Sequence, residues 1–455
     1  MQEITRRLAR YVVESRFDSL PEAVRHEGPR AFVNWFGCVL GGCRDISLDT
    51  AQAALAEYCG PPQATIIGRG RRTDIINAAF FNCLSSSSQA YDDTHLATIA
   101  HPTGVTAAGM LALAEHKGVS GRDFLHALIL GIELQCRMSR MLVEPPAKSA
   151  LGMFMTGFTG AMGAAAAAGK LLGLDEQRMI WALGIAATQG GGFRETHGTM
   201  TVGFVRAHAA RCGLVAALLA EKGFTCSDQS LESPRGFAAY ADPANLAVVT
   251  DRLGEHFEVL GTAYKPYACA IVVHPAIDVA LELAPRVAGS ADSVRCVELV
   301  LHPLAVELSG RTAPVHANEA RISASHWAAA TMLYGKASLR KTAGLDADSD
   351  GYVLDAAVVA LRGKINLRGD PALGRDEARA VLEFEGGRKV EAHVKHCRGS
   401  LARPMTNDEL SEKFRDQALG VLPAASVEEL MAQCWRLDAL ENVGAMIRRF
   451  FAVAP

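Results

Sequence analysis

Residues 158–174 read FTGAMGAAAAAGKLLGL. Ala is the strongest intrinsic helix former, and side chains this small let a second backbone approach closely. The stretch therefore predicts a central helix, packed on several sides. Its longest apolar part, Phe158–Gly169, ends at Lys170 and is shorter than the ~20 residues a membrane helix requires.

The same helical texture extends outward on both sides. Upstream, Ser120 precedes GRDFLHALILGIELQCRMSRML, with Asp123 in the first turn. Ser120 fits an N-cap, and the run is apolar nearly all round, which predicts a buried helix. Downstream, Asp175 is placed to cap EQRMIWALGIAAT, and Ala207–Lys222 reads as an amphipathic helix stopped by Gly223. After Gly261 the pattern changes. SVRCVELVLHP, GKINLRGD and RAVLEFEGGRKVEAHVKH are β-prone, and Gly386-Gly387 suits a tight hairpin turn. Beyond Pro404 helices return, with capping boxes expected at Thr406-x-x-Glu409 and Ser426-x-x-Glu429. The simplest architecture is mostly α: a large helical domain from 1–262 plus 399–455, with a smaller α+β domain inserted at 263–398.

Bulk properties set limits on function. The chain has 455 residues, 49% of them hydrophobic and 21% charged, with a net charge of −3. That is ample for a large core, and no basic field favours nucleic acid. The N-terminal MQEITRRLARYVVESRF lacks the apolar core of a secretory signal, so a cytoplasmic location is expected and no membrane partner. Eleven cysteines are scattered without a C-x-x-C pair, which argues against a disulfide framework or a zinc site. No G-x-S-x-G, H-E-x-x-H, phosphate loop or well-placed dinucleotide fingerprint occurs.

Four segments carry groups able to do chemistry. Tyr91-Asp92-Asp93-Thr94-His95 and Ala100-His101-Pro102 bring carboxylates and imidazoles within eleven residues, a set suited to acid/base work. The same residues also read as a polar loop whose aspartates cap a helix. Lys265-Pro266-Tyr267-Ala268-Cys269 with His274 lies where the helical part passes into the α+β part, where clefts favour ligands; a hinge is the alternative. Gly190 to Gly192 precede Phe193-Arg194-Glu195-Thr196-His197, in which Arg194 can clamp a carboxylate or pair on the surface. Gly310-Arg311 with the 319–323 stretch and His326 offers another clamp, or a solvated helix face.

Taken in order, YDDTHLATIAHPTGVTAAGMLALAEHKGVSGRDFLHALILGIE, GAAAAAGKLLGLD, AALLAEKGFT, KPYACAIVVHPAID, EARIS and PMTNDELSEKF resemble the MmgE/PrpD family across nearly the whole chain. That family includes 2-methylcitrate dehydratase, cis-aconitate decarboxylase and iminodisuccinate epimerase. The resemblance implies a helical domain with an α+β lid, a homodimer, and chemistry without metal or organic cofactor. By the same resemblance His101, His274 and Asp93 are catalytic. Thr94, Lys265, Tyr267, Cys269, His326, Phe154 and Val202 are expected to line the substrate site, and Arg194 and His197, read from their own segment, are expected there with them. Departures are clear. The upstream acid of the decarboxylases is Ala90 here, a family histidine falls on Phe154, the family lysine on Val202, a nearby histidine on Val205, and a tyrosine on His326.

Losing those cationic donors makes the pocket more apolar. An oligocarboxylate needs roughly one charge-assisted partner per carboxylate, each worth ~1.5–3 kcal/mol. Arg194, His197, Arg206, Lys265 or Arg311 are the available replacements. The expectation is an acid/base enzyme on a small carboxylic acid, an isomerase, an epimerase or a lyase, in which His101 and His274 meet at one C–H bond. Methylcitrate dehydration, cis-aconitate decarboxylation, a non-catalytic binding relative and a metal-dependent hydro-lyase are the alternatives.

Overall fold

The computed structural model describes residues 3–148, 152–337 and 353–451. The chain is mostly α, with small sheets, and divides into two compact units: Met1–Thr196, Thr201–Ala263 and Thr406–Pro455 form the first, and His197–Met200 with Tyr264–Met405 the second. Residues 399–405 thus belong with the α+β unit.

In the first unit the helices are α1 (Ile4–Glu14), α2 (Glu22–Gly42), α3 (Ile46–Leu55), α4 (Ile75–Ser87), α5 (Pro102–Lys117), α6 (Gly121–Val143), α7 (Met155–Leu171), α8 (Glu176–Ala187), α9 (Thr201–Glu221) and the short α10 (Ala247–Thr250). Two small ribbons join them, β1 (Ala64–Ile66) with β2 (Arg71–Thr73), and β3 (Thr94–His95) with β4 (Thr262–Ala263). The Ala-rich stretch is α7, and it is central: it packs against α5, α6, α8 and α9. Glycines set how closely. A Cβ on Gly131 of α6 would lie 2.7 Å from Gly163 O, and one on Gly213 of α9 would lie 2.4 Å from Ala161 O. No side chain fits at either contact, so backbone meets backbone there. α5 is buried from Pro102 to Glu115.

Local capping behaves largely as its chemistry dictates. Ser120 Oγ accepts the Asp123 amide at 3.1 Å, and Asp175 accepts that of Arg178 at 2.8 Å. α9 begins at Thr201, six residues before the expected start, and ends just before Gly223, whose φ is +86°. Among the described residues it is one helix long and apolar enough to cross a membrane; more than half of it is buried, against α4, α5, α7 and α8, as a core helix is.

The second unit contains α11 (His274–Val287), β5 (Val294–Leu301), α12 (Pro303–Ser309), α13 (Ala317–Ala320), α14 (Ala324–Tyr334), α15 (Ala356–Arg362), β6 (Ile365–Gly369), β7 (Ala378–Phe384) and β8 (Lys389–Val394). Its sheet has the order β6-β5-β7-β8, parallel only between β5 and β6. The β7–β8 turn places Gly386 and Gly387 at φ +84° and +85°, which L side chains resist. α11 packs on α14, β7 and β8.

The chain then returns to the first unit through α16 (Asn407–Ala418), α17 (Ala424–Trp435) and α18 (Val443–Phe450). Thr406 and Glu409 form the expected capping box. The second box does not form. α17 starts at Ala424 with Pro423 at its N-cap, so Ser426 already lies inside the helix.

Candidate active site

In the first unit the site is built on the loop between α4 and α5. β3 pairs with β4, His95 N–H donates to Ala100 O at 2.8 Å, and the loop closes on itself before α5 begins. Ala90 and Ile99 bracket it at φ +52° and +56°. His101 is the N-cap residue of α5, followed by Pro102 at the first helical position. Its backbone N–H donates to Thr156 Oγ1 at 2.9 Å, which ties it to the start of α7.

The His101 ring is held by one face. Nδ1 lies 2.7 Å from the Asp93 carbonyl oxygen and 3.3 Å from Thr94 Oγ1. A carbonyl only accepts, so the proton sits on Nδ1 and the basic lone pair on Nε2. Asp93 also acts through its side chain: Oδ2 accepts from Thr103 Oγ1 at 2.7 Å and from the Thr103 amide at 3.3 Å. Asp93 therefore orients the imidazole with its backbone and seals the first turn of α5 with its carboxylate. The neighbouring Asp92 is the acid that approaches the ring, with Oδ2 3.8 Å from Nδ1. Asp92 Oδ2 also accepts from Arg206 Nη1 at 2.8 Å.

Phe154 supplies an apolar wall. The Phe154 ring meets His101 edge-on, with centroids 6.2 Å apart, and the Arg206 guanidinium lies 5.5 Å from the centre of the same ring. Phe154 N–H donates to Gly192 O, and Arg194 N–H to Gly152 O, so the 152–154 and 192–194 strands pair. Val205 packs where Gly157 and Gly192 leave room, since a Cβ on either glycine would come within 2.6 Å of Val205 Cγ1. Val202 is half-buried one turn earlier on α9.

The second histidine of the motif belongs to the scaffold. His95 Nδ1 bonds Thr98 Oγ1 at 2.9 Å and Nε2 lies 3.1 Å from Glu258 Oε2. Glu258 also pairs with Arg140, and its amide donates to Glu133 at 2.6 Å. Burial pushes the Glu258 carboxyl up, but the bonds from His95 and Arg140 outweigh it and hold it at about 2. Arg137, fully buried beside Glu133, collects the carbonyls of Asp251 and His256 at 2.7 Å each.

The second unit holds another part of the sequence-predicted set. Lys265, Cys269, His274 and His326 are all at most 1% exposed. Tyr267 donates its hydroxyl to Asp278 Oδ1 at 2.5 Å, and its ring stands edge-on to His274 at 5.3 Å. Asp278 also accepts the Arg398 amide at 2.7 Å. Burial pushes the Cys269 thiol well up, against the pull of Lys265, which favours the protonated form. His326 lies in the first turn of α14, whose cap is Ser323. Arg311 is bound to Glu319 at 2.5 Å and is nearly half exposed, which is the surface pair rather than a clamp. His197 clusters with this unit, whereas Arg194 belongs to the first. Among the described residues, no group of three or more His, Cys, Asp or Glu is arranged to hold a metal ion.

Two residues that the sequence reading named without assigning them to the site emerge from this geometry. Asp93 rather than Asp92 was expected in the site, by the resemblance, because adjacent residues in a loop give no sign of which carboxylate approaches the ring. Arg206 was only one of five possible cations; its position one turn after Val202 on an apolar helix was the available signal.

Comparison with known proteins agrees with the resemblance. A sequence model of the MmgE/PrpD N-terminal domain matches residues 6–246, and one of the MmgE/PrpD C-terminal domain matches residues 267–437. The chain is similar to a cis-aconitate decarboxylase-like protein, oryM, of Aspergillus oryzae, at 27% identity over 98% of this chain and 96% of the relative. It is also similar to the cis-aconitate decarboxylases of Mus musculus (28% identity; 86% of this chain, 82% of the relative) and Homo sapiens (28%; 81% and 78%). The two domain matches together span most of the chain, and on them it belongs to the MmgE/PrpD family.

Proposed function

We propose that this chain is a lyase that acts on a small carboxylic acid by acid/base chemistry, with His101 as the base. The observation that carries the reading is the His101 ring, pinned through Nδ1 to the Asp93 carbonyl so that Nε2 is the proton acceptor. The likeness to proteins named as cis-aconitate decarboxylases supports the lyase class.

In this reading Nε2 takes a proton from the carbon next to a carboxylate. The C–H electron pair becomes a C=C bond as a β-leaving group departs with its own pair, and a proton donor completes the elimination. Arg206 and the positive end of α5 oppose the negative charge that builds up on the substrate carboxylate. Phe154 beside His101 favours a less charged acid than a tricarboxylate. Return of the proton to carbon would make the enzyme an isomerase or epimerase instead, and the same assay separates the two.

The test is turnover of a panel of small carboxylic acids in deuterated water, followed by NMR. His101→Gln is expected to lower turnover by about 10²–10⁴-fold, the usual share of general acid/base catalysis, with an unchanged melting temperature. Full activity in that variant removes His101 from the reaction. Deuterium entering recovered substrate without an eliminated product would indicate isomerisation.

A further inference from the structure

We infer that Arg206 is the carboxylate-binding residue of this site, and that the substrate presents a single carboxylate to it beside an apolar chain. The inference rests on the proposed function, and it concerns specificity.

Arg206 is 4% exposed, on a helix face otherwise apolar. A guanidinium has five N–H donors in a rigid plane and cannot lose its proton. One end is used: Nη1 donates to Asp92. Nε, fully buried, has no acceptor among the described residues. Nε and Nη2 together form the side-on fork that matches a carboxylate, and Asp92 leaves that edge open by bonding at Nη1. A buried donor left without an acceptor is costly unless something arrives to use it.

Position and surroundings narrow the ligand further. Asp92 Oδ2 lies 2.8 Å from Arg206 Nη1 and 3.8 Å from His101 Nδ1, so those two nitrogens are at most about 6.6 Å apart. Arg206 and His101 thus share Asp92 as a neighbour, and the inference seats the carboxylate on the fork with its α-carbon toward the imidazole. The α-hydrogen is then the proton removed, and the electron pair it leaves is drawn toward the carboxylate bound by Arg206. Beside the guanidinium lies the Phe154 ring, and Val205, the preceding residue on α9, packs against Gly157 and Gly192. Neither offers a donor to a second or third carboxylate. Lys413, another buried cation of this unit, is committed to Asn34 Oδ1 at 2.7 Å and Tyr91 O at 2.8 Å.

The experiment is calorimetric binding of hexanoate and of tricarballylate to the full chain and its variants, with melting curves to confirm folding. Wild type is expected to bind hexanoate at least as tightly as tricarballylate. Arg206→Gln should weaken hexanoate binding ten- to a hundred-fold, and Arg206→Lys should recover only part of it, because an ammonium has no fork. Asp92→Asn should act in the opposite direction, tightening hexanoate several-fold by removing the competing charge; it also serves if Arg206→Gln does not fold. Hexanoate affinity within two-fold of wild type in folded Arg206→Gln overturns the inference. So does a tenfold preference for tricarballylate, or weaker hexanoate binding in Asp92→Asn. His101→Gln should keep hexanoate affinity while losing turnover. An active His101→Gln would defeat the proposed function and leave the Arg206 result standing, whereas an unaffected Arg206→Gln would defeat this inference alone.

Discussion

Replacing Glu258 with Gln should remove a pH-dependent part of the stability of the first unit. The carboxylate is almost completely buried, bridges His95 and Arg140, and titrates at about 2 against a reference of 4.5. A shift of that size corresponds to about 3 kcal/mol. Because the folded value is the lower one, the stabilisation is complete above pH 4.5 and fades as pH falls toward 2. Linkage puts the loss at roughly 1 kcal/mol by pH 4 and about 2 kcal/mol by pH 3. At pH 7 the variant should be less stable by about 3–5 kcal/mol, the usual result of removing one member of a buried pair. The gap should narrow by about 2 kcal/mol at pH 3. Urea titrations followed by circular dichroism at pH 7, 5, 4 and 3 measure both curves. If wild type and Glu258→Gln lose stability in parallel between pH 5 and pH 3, the bridge is not what depresses this carboxyl. Glu258 is bonded to the loop that carries His101, so the variant should also lose turnover at pH 7 in conditions where it stays folded.

Two further perturbations test the packing around each histidine. Gly157→Ala places a methyl 2.0 Å from Gly191 O and 2.4 Å from Val205 Cγ1, so it should cost at least about 1–3 kcal/mol in thermal unfolding; an unchanged melting temperature would mean the 190–192 loop yields freely. Tyr267→Phe removes the hydroxyl that donates to buried Asp278 and should destabilise the second unit by about 1–3 kcal/mol, read by urea unfolding, and a neutral result would show that this bond adds nothing.

How much of this was legible in the sequence depended on the range of the interaction. Ser120, Asp175 and Thr406 cap helices through groups three residues away, and all three could be read directly. The Ala-rich α7 announced its central place, because small side chains are useful only where backbones meet. Ser426 misled because Pro423, with its fixed φ, starts α17 earlier. The start of α9 was hidden by the Gly- and Thr-rich run before it. In the candidate site, the loop with His101 stood out by composition, and the reading of it as a polar loop that caps a helix holds, since Asp93 does serve the start of α5. The Asp92–Arg206 pair joins residues 114 positions apart, and no local pattern signals a contact at that separation.

α5 is encased along nearly its whole length, and His101 stands at its first turn. The imidazole is thus mounted on one of the least deformable parts of the molecule. Any adjustment during the reaction falls to the ligand or to the side chains facing the ring. Under the proposed function, changes of substrate are then most readily achieved by exchanging residues on α9 and at the start of α7, where a new side chain leaves His101 where it was.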